Sequence, residues 1–586
     1  MGVSGLVTYL ERSGCTNLVV IPDEIQKCGK EEPLVVIDLL TLIHNLSGPT
    51  NEQIYGCRNQ FAWDYAAQFC DRMIEAGARL VFFIDGKLQE GKYSHWIVRQ
   101  EQAYRDCLRK VETIPNDYRI KFEKSIGGNV VKHAFTSALV TAARTKGELI
   151  TSYDVECDQA VASYAKKHDA LAIITGDSDF LIFEGNFRIW SSNDLNPQRM
   201  STKEWNRERL RKTFNLEWNQ MPFFAAIAGN DLFKCRPRHM HNLNHVGQLV
   251  QRLNLRRGYT KITTDLFKQI FGQKDIENKY GFEKAVEFYD TDYTVSKPIV
   301  PSEMCHYPNY ALSIIRGVPG SIRLPCLDLR EADYSQIALQ VYRRQVGVLF
   351  YHRTVVPEQA VTSPVFVKLN HNDTYNIIET TPITPSSAVN VPLPEELYSP
   401  DPQLSKSLKE VKYRLLTWIV SDTLTFEEVC QIDPEYLLDV LNLYFLVEAN
   451  LLDITTADII LLTIDDCIKK RIPRGIPLQP PTRPNVTTSF LYSNFYALMY
   501  FNAETAGLGG KLARTFLCKF DGVYFNTTVD SLRNDADLLA SKLEPIASYR
   551  VYTKLANREA DKPVPISRGE TPASDVDEEP PRKIGR

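Results

Sequence analysis

Three short apolar runs set the strongest limit on what the first 235 residues can fold into: LVVIDLL (34–40), LVFFIDG (80–86) and LAIITGDSDF (171–180). Each is rich in Val, Ile and Phe and lacks the polar alternation of a half-solvated strand. Buried parallel strands have this pattern. Amphipathic stretches such as FAWDYAAQFCDRMIEAG (61–77) and DQAVASYAKKHD (158–169) are interspersed with them. Alternating β and α signals imply an α/β fold, a parallel sheet flanked by helices. Ligands of such sheets collect at the carboxyl ends of the strands.

The same runs end in carboxylates. Asp38 closes the first, Asp85 the second, and Asp177 and Asp179 the third. Residues two apart on an extended chain face one side, so Asp177 and Asp179 are expected to share a target. Glu156 and Asp158 lie in SYDVECDQAVASY, at the start of a helix expected to be capped by Asp154. A helix N-terminus tolerates clustered negative charge. Asp231 follows a further apolar run in AAIAGND. A lone strand-end aspartate is commonly a turn or helix cap, but capping does not account for the ordered set. Acids brought to one sheet edge repel, and several would stay protonated unless compensated. Two Mg²⁺ or Mn²⁺ ions, held by Asp38, Asp85, Glu156, Asp158, Asp177, Asp179 and Asp231, resolve the conflict with oxygen ligands and leave positions open for phosphate.

Basic residues follow the second run. Lys92, His95 and Arg99 are spaced to share one helix face, and Arg105, Arg109 and Lys110 extend the segment. Lys92 and Arg99 are the candidates for neutralising charge on a scissile phosphate. Tyr93 and Trp96 beside them suit either base stacking or packing. Gly2 would allow close backbone approach to a substrate. Lys234, Arg236 and Arg238 form a basic loop after Asp231. Cys235, His239, His241 and His245 lie in that loop region too, but their spacing is not that of a structural zinc site.

Composition bounds the rest. Apolar residues make up 44% and charged residues 24% of the 586 positions, an ordinary globular balance. The net charge of −4 offers no global field for a polyanion, so nucleic-acid contact must come from a local patch. The scattered cysteines, without C-x-x-C pairs, fit reduced thiols inside a cell. The opening MGVSGLVTYLERSGC reads as neither a secretory nor a myristoylation signal, and no run is long and apolar enough for a membrane span. From about 260 the alternation gives way to mostly helical sequence, with a Pro-rich linker near 355–405 and a second Pro-rich break, GIPLQPPTRPN (475–485). Residues 558–586 have the composition of a disordered tail. KKRIPR (469–474) reads as a surface run rather than a nuclear signal. The expected organisation is an α/β domain over 1–260, a helical region over 261–557 and the tail.

These motifs resemble, in order, those of the flap endonuclease/XPG nuclease superfamily. MGVSGLVTYL resembles its MGI-x-GL opening, VVIDLLTLIHNL its first acidic strand and FFIDGK its second; VECDQA, GDSDF and AGND follow. Within the superfamily, GDSDFLIF, FFAAIAGND and RPRHMHNLNHVGQLVQRLN are similar to the asteroid proteins, with the constitutive coactivator of PPAR-gamma-like proteins as a related group. The resemblance covers roughly 1–235. It implies a PIN-like domain and Mg²⁺-dependent endonuclease or exonuclease activity that leaves a 5′-phosphate. Lys92 and Arg99 stand where the family has its active-site lysine and arginine, and Gly2 falls near the active site. The implied substrate is nucleic acid, branched or single-stranded DNA or RNA, with Gly2, His95, Arg105, Arg109, Lys234, Arg236 and Arg238 contacting it. DNA repair and a nuclear rather than cytoplasmic setting follow from the same resemblance. The segment after Asp231 departs from the family: LFKCRPRHMHNLNH lacks the GIGP-type loop that grips duplex DNA. The other expectation is a weak or inactive nuclease fold that binds nucleic acid as a scaffold, with the helical region recruiting a protein partner.

Overall fold

A computed structural model describes residues 2–46, 52–56, 58–86, 88, 92–116, 135–152, 156–234, 242–272, 278–291, 306–354, 361–386, 389–509 and 515–557. Its centre is a seven-stranded sheet of β1 (Thr16–Val20), β2 (Leu34–Asp38), β3 (Arg79–Asp85), β4 (Glu148–Ser152), β5 (Ala172–Thr175), β6 (Arg188–Ser191) and β7 (Ser201–Trp205), in the order β1-β7-β6-β5-β2-β3-β4. From β6 to β4 the strands run parallel; β7 and β1 are antiparallel additions at one edge.

Both faces of this sheet are buried, which is why its central strands are continuously apolar. Alternate residues divide between two cores. Val36, Val81, Phe83 and Ile173 face one; Val35, Ile37, Phe82 and Ile174 face the other. The first core is completed by helices Cys157–Lys167 and Met221–Ala228. Helices Thr264–Phe271 and Lys279–Glu287 also pack there, through Phe267, Ile270 and Phe282. The second is covered by Asn59–Glu75 and Thr136–Lys146.

The remaining chain builds a second lobe, mostly helical, around helices Leu437–Glu448, Ile454–Ile468 and Arg483–Thr505. Leu437–Glu448 is apolar nearly all round because neighbours enclose it on every side. Inside the span read from sequence as a Pro-rich linker, β9 (Ser363–Val367) and β10 (Asn376–Thr380) pair antiparallel, and β8 (Gly320–Ser321) joins β9 in parallel. Pro364 sits near the start of β9, and the short apolar run after it supplies the buried Val365, Phe366 and Val367. The lobes share a buried seam: Arg58 Nε is 2.9 Å from Asp521 Oδ2, with the two side chains 5% and 2% exposed. Residues 558–586, read as a disordered tail, lie outside the described residues. Among the described residues no helix is long and apolar enough to cross a membrane.

Candidate metal centre

Parallel register brings the strand-end acids together. Asp38 of β2 is aligned with Phe83 of β3, and Ile37 with Ile174 of β5, so three strands deliver their carboxyl ends to one edge. Oxygens of Asp158, Asp177 and Asp179 lie within 4.8 Å of one another, a spacing that one cation could span. Asp158 comes from the first turn of the Cys157–Lys167 helix. Glu156 is that helix's N-cap residue, with no side-chain capping bond; Asp154, expected to cap it, lies outside the described residues.

Asp177 and Asp179 converge by a different geometry from the extended pair expected. The chain turns into a 3-10 helix at Ser178–Leu181, and Asp179 N donates to Asp177 Oδ1 at 3.0 Å. The turn directs both carboxylates to the same place without a strand.

The other acids surround this trio. Thr175 Oγ1 donates to Asp38 Oδ2 at 3.0 Å. The Cys157 thiol hydrogen-bonds Asp85. Burial pushes Asp38 up to about 7, with repulsion from Asp85 and Asp177 adding to it. Burial and then Asp177 push Asp179 up to about 8, despite a hydrogen bond from Tyr289, with Asp231 contributing further repulsion. Burial, then Asp177, Asp38, Asp179 and Asp85, raise Asp158 well above the carboxylate range. Asp85 keeps an exposed edge. Enough protein still crowds its carboxyl to raise it, against the lowering pull of Lys92 and Arg99.

The basic helix runs Tyr93–Glu112, with Lys92 as its N-cap residue. Lys92 Nζ lies 2.5 Å from Glu156 Oε2. Burial alone would lower the Lys92 pKa, but Glu156, Asp158 and Asp85 reverse the effect and raise it. Arg99 is exposed and close enough to act electrostatically on Asp85. Lys234 Nζ lies 3.1 Å from His95 Nε2, so two of the proposed contact residues meet. Gly2 is packed against the centre: with φ +85°, a Cβ on it would fall 2.2 Å from Asp177 Oδ1. A cleft of about 490 Å³ opens beside it, lined by Gly2, Ser178, Asn230, Asp231 and Lys234.

Other residues fall elsewhere. Arg105 pairs with Glu101 at 3.1 Å and Arg109 with Asp106 at 3.4 Å, and both line a separate hollow with Arg330 and His371. They lie farther along the helix than the stripe that begins at Lys92, on turns turned toward the second lobe. Tyr93 and Trp96 pack rather than wait for bases: their rings lie 5.1 and 4.5 Å from that of Phe366 in β9. Arg236 and Arg238 lie outside the described residues, as do Cys235, His239 and His241 of the weighed zinc pattern.

Tyr289 and Thr175 bond the acids directly, and Asn230 holds Tyr289. Tyr289 Oη donates to Asp179 Oδ1 at 2.5 Å and accepts from Asn230 Nδ2 at 3.1 Å. Asn230 lies inside the AGND motif. Tyr289 lies 110 positions from Asp179 in a stretch without a motif. Thr175 looks in sequence like one more β-branched strand residue.

No family model matches the chain. A constitutive coactivator of peroxisome proliferator-activated receptor gamma from Mus musculus is 26% identical over 243 residues, which cover 40% of this chain and 30% of that protein. The Homo sapiens protein of the same name is 26% identical over 243 residues, 40% of this chain and 26% of its own length. The constitutive coactivator of PPAR-gamma-like protein 1 homolog of Xenopus tropicalis is 22% identical over 254 residues, covering 40% and 23%. The match therefore spans a third or less of these relatives. Among solved structures, the catalytic core of Rad2 in complex with DNA substrate is 16% identical with a TM-score of 0.31, over 51% of this chain and 89% of that one. Human GEN1 in complex with Holliday junction DNA is 12% identical with a TM-score of 0.31, covering 65% and 88%. Flap endonuclease-1 from Methanococcus jannaschii is 12% identical with a TM-score of 0.25, covering 47% and 96%. The flap endonuclease group and the coactivator group whose motifs the sequence resembles are both among these matches.

Proposed function

We propose that the protein is a divalent-metal-dependent nuclease that hydrolyses phosphodiester bonds of branched or single-stranded nucleic acid. The observation that carries this reading is the convergence of Asp158, Asp177 and Asp179 within 4.8 Å of one another. Lys92, held 2.5 Å from Glu156, stands beside them.

The residues fit a pair of hard cations. Every candidate ligand is a carboxylate oxygen, the donor type that Mg²⁺ and Mn²⁺ select. The Cys157 sulfur lies beside them, but burial keeps its thiol protonated, so it is a hydrogen-bond donor and not a ligand. Carboxylates crowded this closely need compensating positive charge, and the raised pKa values of Asp38, Asp158 and Asp179 are the measure of that need. Asp158, Asp177 and Asp179 would hold one ion; Asp38, Asp85, Glu156 and Asp231 would complete the pair directly or through water. Bound there, two such ions supply an activated water and charge stabilisation at the leaving oxygen.

The chain's own groups supply the rest. Lys92 and Arg99 offset negative charge that builds on the phosphate in the transition state. Tyr289 and Thr175, each donating to one carboxylate, orient Asp179 and Asp38. Gly2 leaves room for the Asp177 carboxylate. His95 and Lys234 would contact the strand beside the 490 Å³ cleft. The test is Asp177→Ala assayed with Mg²⁺ or Mn²⁺ on labelled flap, splayed-arm, single-stranded and RNA substrates. Loss of all cleavage with the fold retained is expected, and retained cleavage refutes the assignment.

The coactivator names of the sequence relatives favour a second reading. The nuclease fold would then bind nucleic acid in the nucleus without cutting it, while the helical lobe recruits a protein. A titration of native protein with Mg²⁺ or Mn²⁺ separates the two, because a cation bound to the folded state raises its melting temperature. A flat response selects the scaffold.

A further inference from the structure

A second site lies at the other end of the sheet. A cleft of about 780 Å³ runs between Gly147 and Leu149, at the amino end of β4, and helices Pro402–Ser407 and Lys409–Val420 of the helical lobe. The acids of the metal centre sit at the carboxyl ends of the strands, so the two sites are separate.

The charge in this cleft is unbalanced. Arg144 lines it but is paired with Glu504 at 3.5 Å, and Glu504 is the one carboxylate among the described lining residues. Lys406, Lys409 and Lys412 line the same cleft, and none has a carboxylate within ion-pair distance among the described residues. Lys412 is the telling member. It is only 5% exposed, and its ammonium donates to one described partner, Ser405 Oγ at 3.3 Å. An ammonium has three donors, and holding it partly out of water without an opposing charge is costly. Burial accordingly lowers its pKa. A ligand anion would complete its shell, with Lys406 and Lys409 placed to share the charge.

Other residues lining the cleft are of another character. The rings of Tyr307 and Tyr398 pack at 4.9 Å, and Leu397 and Pro308 extend that apolar surface. Cationic groups and aromatic and aliphatic surface lining one cleft suit a ligand with an anionic end and a flat apolar body. The volume is that of a small-molecule site, and such sites favour lobe interfaces.

We propose that this cleft binds a nucleoside phosphate, its phosphates on Lys406, Lys409 and Lys412 and its base and sugar against the Tyr307–Tyr398 wall. The ligand would join the two lobes without taking part in phosphodiester cleavage.

The experiment is a calorimetric and thermal-melting titration of the full chain with ADP, pyrophosphate and adenosine. It is run in EDTA, so that no phosphate can be held at the metal centre through a cation. ADP is expected to bind saturably and raise the melting temperature, with pyrophosphate and adenosine each at least about tenfold weaker. Lys412→Met keeps the buried stem and removes the charge; at least about tenfold weaker ADP binding is expected, with the ligand-free melting temperature held or raised. If that variant does not fold, Lys409→Glu at the exposed rim is expected to weaken ADP binding by a similar factor. Absent ADP binding to the native chain, equal binding of pyrophosphate, or unchanged binding by both variants overturns the proposal. Failure here leaves the nuclease reading standing, since cleavage is measured with metal on other substrates.

Discussion

Gly2 lies so close to Asp177 that a Cβ on it would stand 2.2 Å from Asp177 Oδ1. Its φ of +85° is also one that L side chains rarely adopt. Gly2→Ala must therefore move either the N-terminus or the carboxylate. We expect the variant to lose about 1 kcal/mol of stability, and its apparent affinity for Mg²⁺ to fall at least about tenfold. Melting in EDTA and a Mg²⁺ titration read the two effects separately. Unchanged Mg²⁺ affinity would show that Asp177 is not a ligand.

The pH dependence of the metal-free protein follows from the crowded acids. Asp38 is pushed up to about 7 and Asp179 to about 8, while both titrate near 4 in the unfolded chain. Between those values the folded state binds more protons than the unfolded one, so stability is fullest at about pH 4 and falls as pH rises to about 8. The expected loss is on the order of a few kcal/mol in EDTA. Saturating Mg²⁺ should flatten or reverse the slope, because it competes with the protons. A melting series from acid to mildly alkaline pH, with and without Mg²⁺, decides the matter; two parallel curves count against a cation at these residues.

Asp158→Asn separates stability from metal binding. It removes a charge whose neighbours Asp177, Asp38, Asp179 and Asp85 all oppose it. At alkaline pH, where the native carboxyl loses its proton, the metal-free variant should be more stable than the native chain, by about 1 kcal/mol or more. The same variant should show no rise in melting temperature with Mg²⁺ and no cleavage. A variant destabilised in EDTA would mean that the native carboxylate is held by favourable protein contacts and needs no cation.

Trp96 carries the basic helix onto the second lobe, its ring 4.5 Å from that of Phe366. Lys368, 2% exposed, reaches Glu101 of the same helix at 3.1 Å. Phe366→Ala should cost about 3 kcal/mol through the cavity it leaves. If this wall holds Lys92 and Arg99 in place, cleavage should lose kcat with little change in KM, and the helix should become sensitive to protease. Equal loss of both constants would make the contact structural only.

Among the basic residues, position predicts unequal effects. Lys234 borders the cleft and meets His95, whereas Arg105 and Arg109 are paired within their own helix. Lys234→Glu should weaken nucleic-acid binding by about tenfold and flatten its salt dependence. Arg105→Ala should change it less than about threefold, as exposed paired charges contribute little. Binding curves at two salt concentrations distinguish them.

The strands β2, β3 and β5 and the acids that end them were readable in the chain because those properties are local. A strand buried on both faces must be apolar throughout, and a break in that run at an aspartate marks its carboxyl end. The strands β4, β6 and β7 carry no such signal, and neither does the edge strand β1, whose apolar LVV is too short to stand out and is mostly solvent-facing. The identity and order of the acids, and the stripe from Lys92 to Arg99, were likewise set by residue spacing alone. Tertiary structure decided which of these groups meet. Tyr289 reaches Asp179 across 110 positions, Lys92 reaches Glu156 across 64, and Trp96 finds Phe366 in a span whose prolines read as linker. Side-chain spacing repeats over one helical turn or one strand, whereas contacts between distant segments depend on how separately formed faces dock. No period in the chain records that docking, so it appears only when the two lobes are assembled.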